Sequence, residues 1–248
     1  MATSVISTTE IQKLLNSLSN LGYEIIGPTI RDGAIVYDQL KSIEELPRGY
    51  TDSQDGGFYR LELTDDESLF SYSMGPYSWK RFLLPPEIQF LEANTHGKGF
   101  TVTAETHHPP QMAFLGVRAC EIAAINILDK VFLKGPYISE SYKKRRERTL
   151  IIAVNCTKAG DTCFCASMGT GPRVTGGYDL LITEIFQEGK PFYLIESGTD
   201  KGGELLAELE ATEASGAQIQ TADNAIEKTA ESMGRKVNTS KLSEILQE

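Results

Sequence analysis

The stretch Gln111-Met112-Ala113-Phe114-Leu115-Gly116-Val117, followed at once by Arg118-Ala119-Cys120, decides how the rest of the chain is read. A short continuous apolar run of this kind predicts a strand buried on both faces. Residues 121–133 then change to helical periodicity, with Ile122, Ile125, Leu128 and Val131 or Phe132 along one side. A second helix is predicted over 137–147. Residues 149–154 form another apolar, β-branched strand that ends at Asn155-Cys156. Strand, helix, helix, strand is the crossover pattern of a parallel sheet. Ligands of such sheets gather outside the carboxyl ends of the strands, and Cys120 and Cys156 both lie at such ends.

Immediately downstream comes Cys156-Thr-Lys-Ala-Gly-Asp-Thr-Cys163-Phe-Cys165-Ala-Ser-Met-Gly-Thr-Gly-Pro172, which holds three of the four cysteines. The full spacing is Cys120-x35-Cys156-x6-Cys163-x-Cys165. Paired C-x2-C knuckles of structural zinc are missing, and so is a C-x-x-C redox motif opening a helix. Four thiolates satisfy the ligand count of an iron–sulfur centre, and a tight turn around Phe164 brings Cys163 and Cys165 to one side. Gly160, Gly169, Gly171, Gly176 and Gly177 allow close backbone approach. Cys120, at the start of a helix, sits where backbone N–H groups and the helix dipole favour an anion. The spacing leaves three readings open: an iron–sulfur cluster, zinc, or four unrelated buried cysteines.

Upstream, Ser7-Thr8-Thr9-Glu10 predicts a capped helix to Asn20, with Ile11, Leu14, Leu15 and Leu18 as its apolar stripe. Strands are predicted over 23–30 and 34–37, joined by the hairpin signal Arg31-Asp32-Gly33. Residues 45–57 read as a polar loop, and 58–63 and 69–73 as further strands. Trp79 with Phe82 and Leu83 reads as core packing, with shielding of a cofactor as the alternative. His107-His108 is a weak metal pair, because adjacent side chains on an extended segment point to opposite sides. Beyond the cysteine loop, 178–186 and 192–197 read as strands, 200–210 as a short helix, and 215–233 and 239–247 as terminal helices. The expected fold is thus mixed α/β. An N-terminal antiparallel lobe (1–105) is followed by a partly parallel sheet flanked by helices, with a helical C-terminus (106–248).

The net charge of −10, from 24 Lys+Arg against 34 Asp+Glu, argues against nucleic acid or an anionic membrane as the main partner. The one dense basic run, Lys143-Lys144-Arg145-Arg146, reads as a solvated helix face rather than a docking patch. No secretory signal is read at the N-terminus, and no apolar run approaches the roughly 18 residues that span a bilayer. A cytoplasmic protein with reduced thiols is expected, which favours cysteines as ligands over disulfides. No P-loop, dinucleotide fingerprint or nickel-binding cysteine pair is present, so catalysis by this chain alone is not expected.

Phe114-Leu-Gly-Val-Arg118-Ala-Cys120-Glu121 resembles the Gly-Val-Arg-Pro-Cys-Asp motif of the β-subunits of cytoplasmic nickel–iron hydrogenases (sulfhydrogenases). The same motif is found in the A subunit of anaerobic sulfite reductase. Val154-Asn155-Cys156 through Pro172 is similar to the second signature of that family, as are Gly177-Tyr178-Asp179-Leu180 and Thr183-Glu184. Leu46-Pro47, Tyr59-Arg60-Leu61 and Gly75-Pro76-Tyr77-Ser78-Trp79-Lys80 fit its N-terminal region. The resemblance implies an electron-transfer subunit with Cys120, Cys156, Cys163 and Cys165 as ligands of one [4Fe–4S] cluster. It also implies, as partners, the other subunits of an oxidoreductase complex and a flavin- or ferredoxin-containing protein. Ala119 and Glu121 stand where the family has Pro and Asp. The family's C-terminal ferredoxin-like module, with its repeated C-x2-C-x2-C-x3-C-P runs, has no counterpart before Glu248.

Overall fold

The computed structural model describes residues 3–89, 91–104, 109–187, 189–240 and 242–246. His107 and His108 lie outside them. Strand β1 (Ser4–Ile6) leads into helix α1 (Thr8–Asn20), and the hairpin β2 (Tyr23–Arg31) and β3 (Ala34–Gln39) follows. Asp32 (φ 49°) and Gly33 (φ 74°) both occupy the left-handed region, as a two-residue turn between Arg31 and Ala34 requires. Two further hairpins pair β4 (Tyr50–Asp55) with β5 (Phe58–Leu63), and β6 (Leu91–His96) with β7 (Gly99–Ala104). Between them lies the single turn α2 (Lys80–Leu83).

The second half begins with β8 (Gln111–Val117), α3 (Ala119–Leu133), α4 (Glu140–Glu147) and β9 (Thr149–Val154). After the cysteine loop come β10 (Leu180–Gln187), β11 (Lys190–Ser197), α5 (Asp200–Ala207), β12 (Thr212–Glu213), α6 (Gly216–Glu231) and α7 (Leu242–Ile245). One eight-stranded sheet runs in the order β12-β1-β11-β10-β9-β8-β2-β3. Its centre, β2-β8-β9-β10, is parallel, and the flanking pairs are antiparallel. The mixed α/β class read from the sequence is therefore the class observed. Strands from the first forty residues and from the last hundred share this one sheet.

Alternation along the central strands divides the core in two. Ala113, Leu115, Leu150, Ile152, Leu180 and Ile182 pack on one face with Leu14 and Leu18 of α1 and Leu205 of α5. Met112, Phe114, Ile151, Ala153 and Leu181 pack on the other with Trp79, Ile122, Ile125 and Tyr142. Trp79 is stacked between Tyr37 (centroids 3.8 Å apart) and Phe114 (4.5 Å), so it is a core residue. On α3 it is Phe132, not Val131, that continues the buried stripe; Val131 is exposed.

Several local readings need correction. Residues 50–55, read as loop, form β4, because their partner is the neighbouring β5 rather than the core, and most of their side chains stay half-buried or exposed. Residues 69–73, read as a strand, join no ladder. The backbone N–H groups of Leu69 and Phe70 donate instead to the Glu184 carboxylate, at 2.6 and 2.9 Å. Helix α4 starts at Glu140 because the Ser139 hydroxyl accepts from Tyr142 N and caps it there. Of its basic run only Lys144 is exposed; Lys143, Arg145 and Arg146 are half-buried, and Arg146 pairs with Asp129 at 3.2 Å. The hairpin β6–β7 left no signal, since the described side chains of β6 and β7 are all exposed and need no alternation. Among the described residues no helix is long and apolar enough to cross a membrane.

Candidate functional site: four thiols around one cavity

The site grows from the carboxyl ends of β8 and β9, adjacent parallel strands at the sheet centre. Near the end of β8 the register slips by one residue at Gly116, whose φ of +89° suits glycine, and where an added Cβ would lie 3.4 Å from the Pro28 ring. Such a bulge re-aims the residues that follow it. Arg118 then caps α3, and Cys120 sits in the first helical turn. Glu121 Oε2 accepts from Arg118 N at 2.8 Å, and its other oxygen accepts from the Tyr37 hydroxyl.

At the end of β9, Asn155 pins the cysteine loop at both ends of its own amide. Its Nδ2 donates to Thr183 Oγ1 (2.8 Å), while its Oδ1 accepts from Val174 N (2.7 Å), where the loop returns. Cys156 N donates to Pro172 O at 3.3 Å, closing the same loop one step further out. Asp179 completes the clasp: its carboxylate accepts from Ile151 N and from the Thr199 hydroxyl, both at 2.8 Å. Between these anchors the 160–170 segment turns on itself. Cys163 N bonds Gly160 O (3.0 Å), and the N–H groups of Met168 and Thr170 both bond Cys165 O (3.1 and 3.0 Å). A Cβ on Gly171 would lie 2.9 Å from Cys165 Sγ and 3.2 Å from Ala119 Cβ, so only glycine lets the loop press Cys165 against the start of α3.

The result is a cavity of about 390 Å³ lined by Cys120, Cys156, Cys163 and Cys165 together. Cys120 and Cys165 are neighbours across it and shift each other's titration in opposite directions. Cys163 Sγ lies 3.8 Å from Ser73 Oγ, and Cys165 Sγ 3.8 Å from the Met233 thioether. Phe164, between the paired thiols, is 47% exposed. The remaining walls come from Tyr72, Met74, Lys158 and the C-terminal part of the chain. There, after α6, Arg235 N bonds Cys163 O (3.0 Å), and Gly234 lies so close to Asp161 O that a side chain would not fit.

The electrostatics centre on Arg118, which is buried with 6% of its surface exposed. Its Nη2 donates to Phe70 O (2.7 Å) and Tyr72 O (3.4 Å), and its Nη1 lies 3.9 Å from Cys156 Sγ. Burial pushes the Cys156 thiol up to about 11, with the Arg118 charge pulling the other way. The interaction with Cys165, then burial, raises Cys120, and the same interaction lowers Cys165. Burial raises the Glu121 carboxyl, opposed by the N–H and O–H groups it accepts from. Burial alone would lower Arg118, but Cys156, Tyr72, Tyr37 and Glu121 hold it above its ordinary value.

All four cysteines singled out in the sequence thus line one cavity, although among the described residues no three His, Cys, Asp or Glu side chains converge tightly enough to grip a single ion. Arg118, Tyr72 and Met233 were not anticipated. A charged residue wedged between an apolar strand and Cys120 was a usable signal for Arg118. Met233 follows an unremarkable Ala- and Glu-rich helix and offered none. No protein-family model matches the chain. Over 199 residues, 79% of its length, the chain is 27% identical to a curated protein named Sulfhydrogenase 2 subunit beta, from Pyrococcus furiosus. It spans about half the length of that relative, 48%.

Proposed function

We propose that this chain is a cytoplasmic iron–sulfur electron-transfer subunit or domain of an oxidoreductase complex of hydrogenase or sulfite reductase type. In this reading Cys120, Cys156, Cys163 and Cys165 bind one [4Fe–4S] cluster. The carrying observation is the convergence of four thiols, from segments 36 residues apart, on one cavity at the carboxyl ends of two parallel strands. The similarity to a protein named as a sulfhydrogenase subunit points the same way.

The donor set fits the group: four thiolates are the usual ligands of a [4Fe–4S] centre, which when bound supplies one-electron chemistry. Zinc fits less well. One zinc draws its sulfurs to about 2.3 Å from a single point, whereas these thiols are spread around a cavity. The chain's own residues hold the site together. Asn155 and Asp179 fix the loop ends, Gly171 admits Cys165, and Met233 and Tyr72 limit water. The partners expected are the other subunits of the complex and a flavin- or ferredoxin-containing electron carrier. Catalysis is assigned to those subunits rather than to this chain.

Substitution of each cysteine by alanine tests the reading. Cys120→Ala, Cys156→Ala, Cys163→Ala and Cys165→Ala should each abolish or sharply reduce the broad visible absorption of anaerobically prepared protein. A scaffold stapled by zinc or by nothing would lose stability or partner binding with no such absorption to lose, and that outcome would overturn the proposal.

A further inference from the structure

We propose that Arg118 sets the reduction potential of this site, by holding a fixed positive charge and an N–H donor against the Cys156 sulfur. The inference rests on the reading of the four thiols as cluster ligands. Arg118 is one of the few charged residues buried in the described structure. Its guanidinium hydrogen bonds go to the carbonyls of Phe70 and Tyr72 and, on the cavity side, to Cys156. Two of these acceptors are neutral, and burying a cation against neutral acceptors is costly. Its neighbours Glu121 and Glu184 spend carboxylate oxygens on backbone N–H groups and on the Tyr37 hydroxyl rather than on the guanidinium. The Phe70 and Tyr72 rings lie near its guanidinium carbon, at 6.0 and 5.5 Å, and keep water from that side. Glu121 and Glu184 attract its charge from the protein side without hydrogen-bonding it, and on the cavity side its Nη1 is placed to meet a thiolate-bound anionic group.

The consequence is directional. One-electron reduction adds one negative charge to the thiolate-bound centre, with no bond made or broken in the protein and no proton required. The electron comes from a one-electron donor of ferredoxin or flavin class. A nearby cation in a poorly solvated site stabilises the more negative state, and hydrogen bonds to ligand sulfurs act in the same sense. Arg118 therefore raises the potential. Arg118→Gln, which keeps an N–H donor for the Phe70 carbonyl but removes the charge, should make the one-electron reduction equilibrium at least tenfold less favourable, about 59 mV. Arg118→Lys keeps the charge and should recover most of the shift.

The test is a potentiometric titration, followed by EPR, of anaerobically prepared wild-type, Arg118→Gln and Arg118→Lys proteins whose iron and sulfide contents have been measured. A wild-type protein without iron and sulfide overturns the cluster reading and this inference with it. Clusters of equal potential in wild type and Arg118→Gln overturn the role of Arg118 and leave the cluster reading standing. Should Arg118→Gln fail to fold or to load, wild-type protein labelled with 15N-arginine decides. A weak 15N coupling to the reduced centre in pulsed EPR supports the inference, and its absence overturns it.

Discussion

Glu184 carries more of the site than its position inside a strand would advertise. It is almost completely buried, and its two oxygens accept the N–H groups of Leu69 and Phe70. The segment it holds presents Tyr72 and Ser73 to the cavity and the Phe70 carbonyl to Arg118. Glu184→Ala leaves two buried donors without an acceptor, at roughly 1–3 kcal/mol each. Glu184→Gln retains one carbonyl acceptor and should lose about half as much. Urea unfolding at neutral pH measures both, and equal stability of all three proteins would contradict the account. The pair Thr183-Glu184 was visible in the sequence only as part of a recurring pattern. Neither burial nor partner could be read from it, because both depend on a segment more than a hundred residues away. The cysteines were legible for the opposite reason, since their chemistry is written in residue type and spacing.

At the scale of elements, the bulge at Gly116 couples the sheet to the site. A side chain there meets a left-handed backbone and, at 3.4 Å, the Pro28 ring. Gly116→Ala should cost roughly 1–2 kcal/mol from the backbone conformation alone. Because the bulge sets the approach of Arg118 and Cys120, the variant should also lower iron content. Gly203 in α5 is the matched control. It has open space around it, and alanine there should be neutral or stabilising by up to about 1 kcal/mol. Comparable losses at the two positions in denaturant melts would remove the special role of the bulge. Elements whose apolar pattern faces the core were the ones read correctly, as with α1, β8, α3 and β9. Two segments satisfied instead by a neighbouring hairpin strand or by a carboxylate, 50–55 and 69–73, were not, although 58–63, the hairpin partner of the first, was read as a strand.

For the whole molecule, the decisive feature is that chain-distant pieces close around one cavity. The ends of β8 and β9 lead to Cys120 and Cys156, the loop between β9 and β10 supplies Cys163 and Cys165, and Gln54, residues 72–74, Thr229 and Met233 add cover from far along the chain. The crossover pattern foretold the first two contributions, because ligand sites follow from where parallel strands end. The cover from Met233 and the sharing of one sheet by both ends of the chain were beyond it, since they are long-range pairings that local periodicity does not encode. The most direct measurement of the central claim is the iron and acid-labile sulfide content of the chain after strictly anaerobic preparation. Four thiolates on one [4Fe–4S] centre predict a brown protein with about four iron and four sulfide per chain and an EPR signal on reduction. A colourless protein carrying stoichiometric zinc and no sulfide would contradict it.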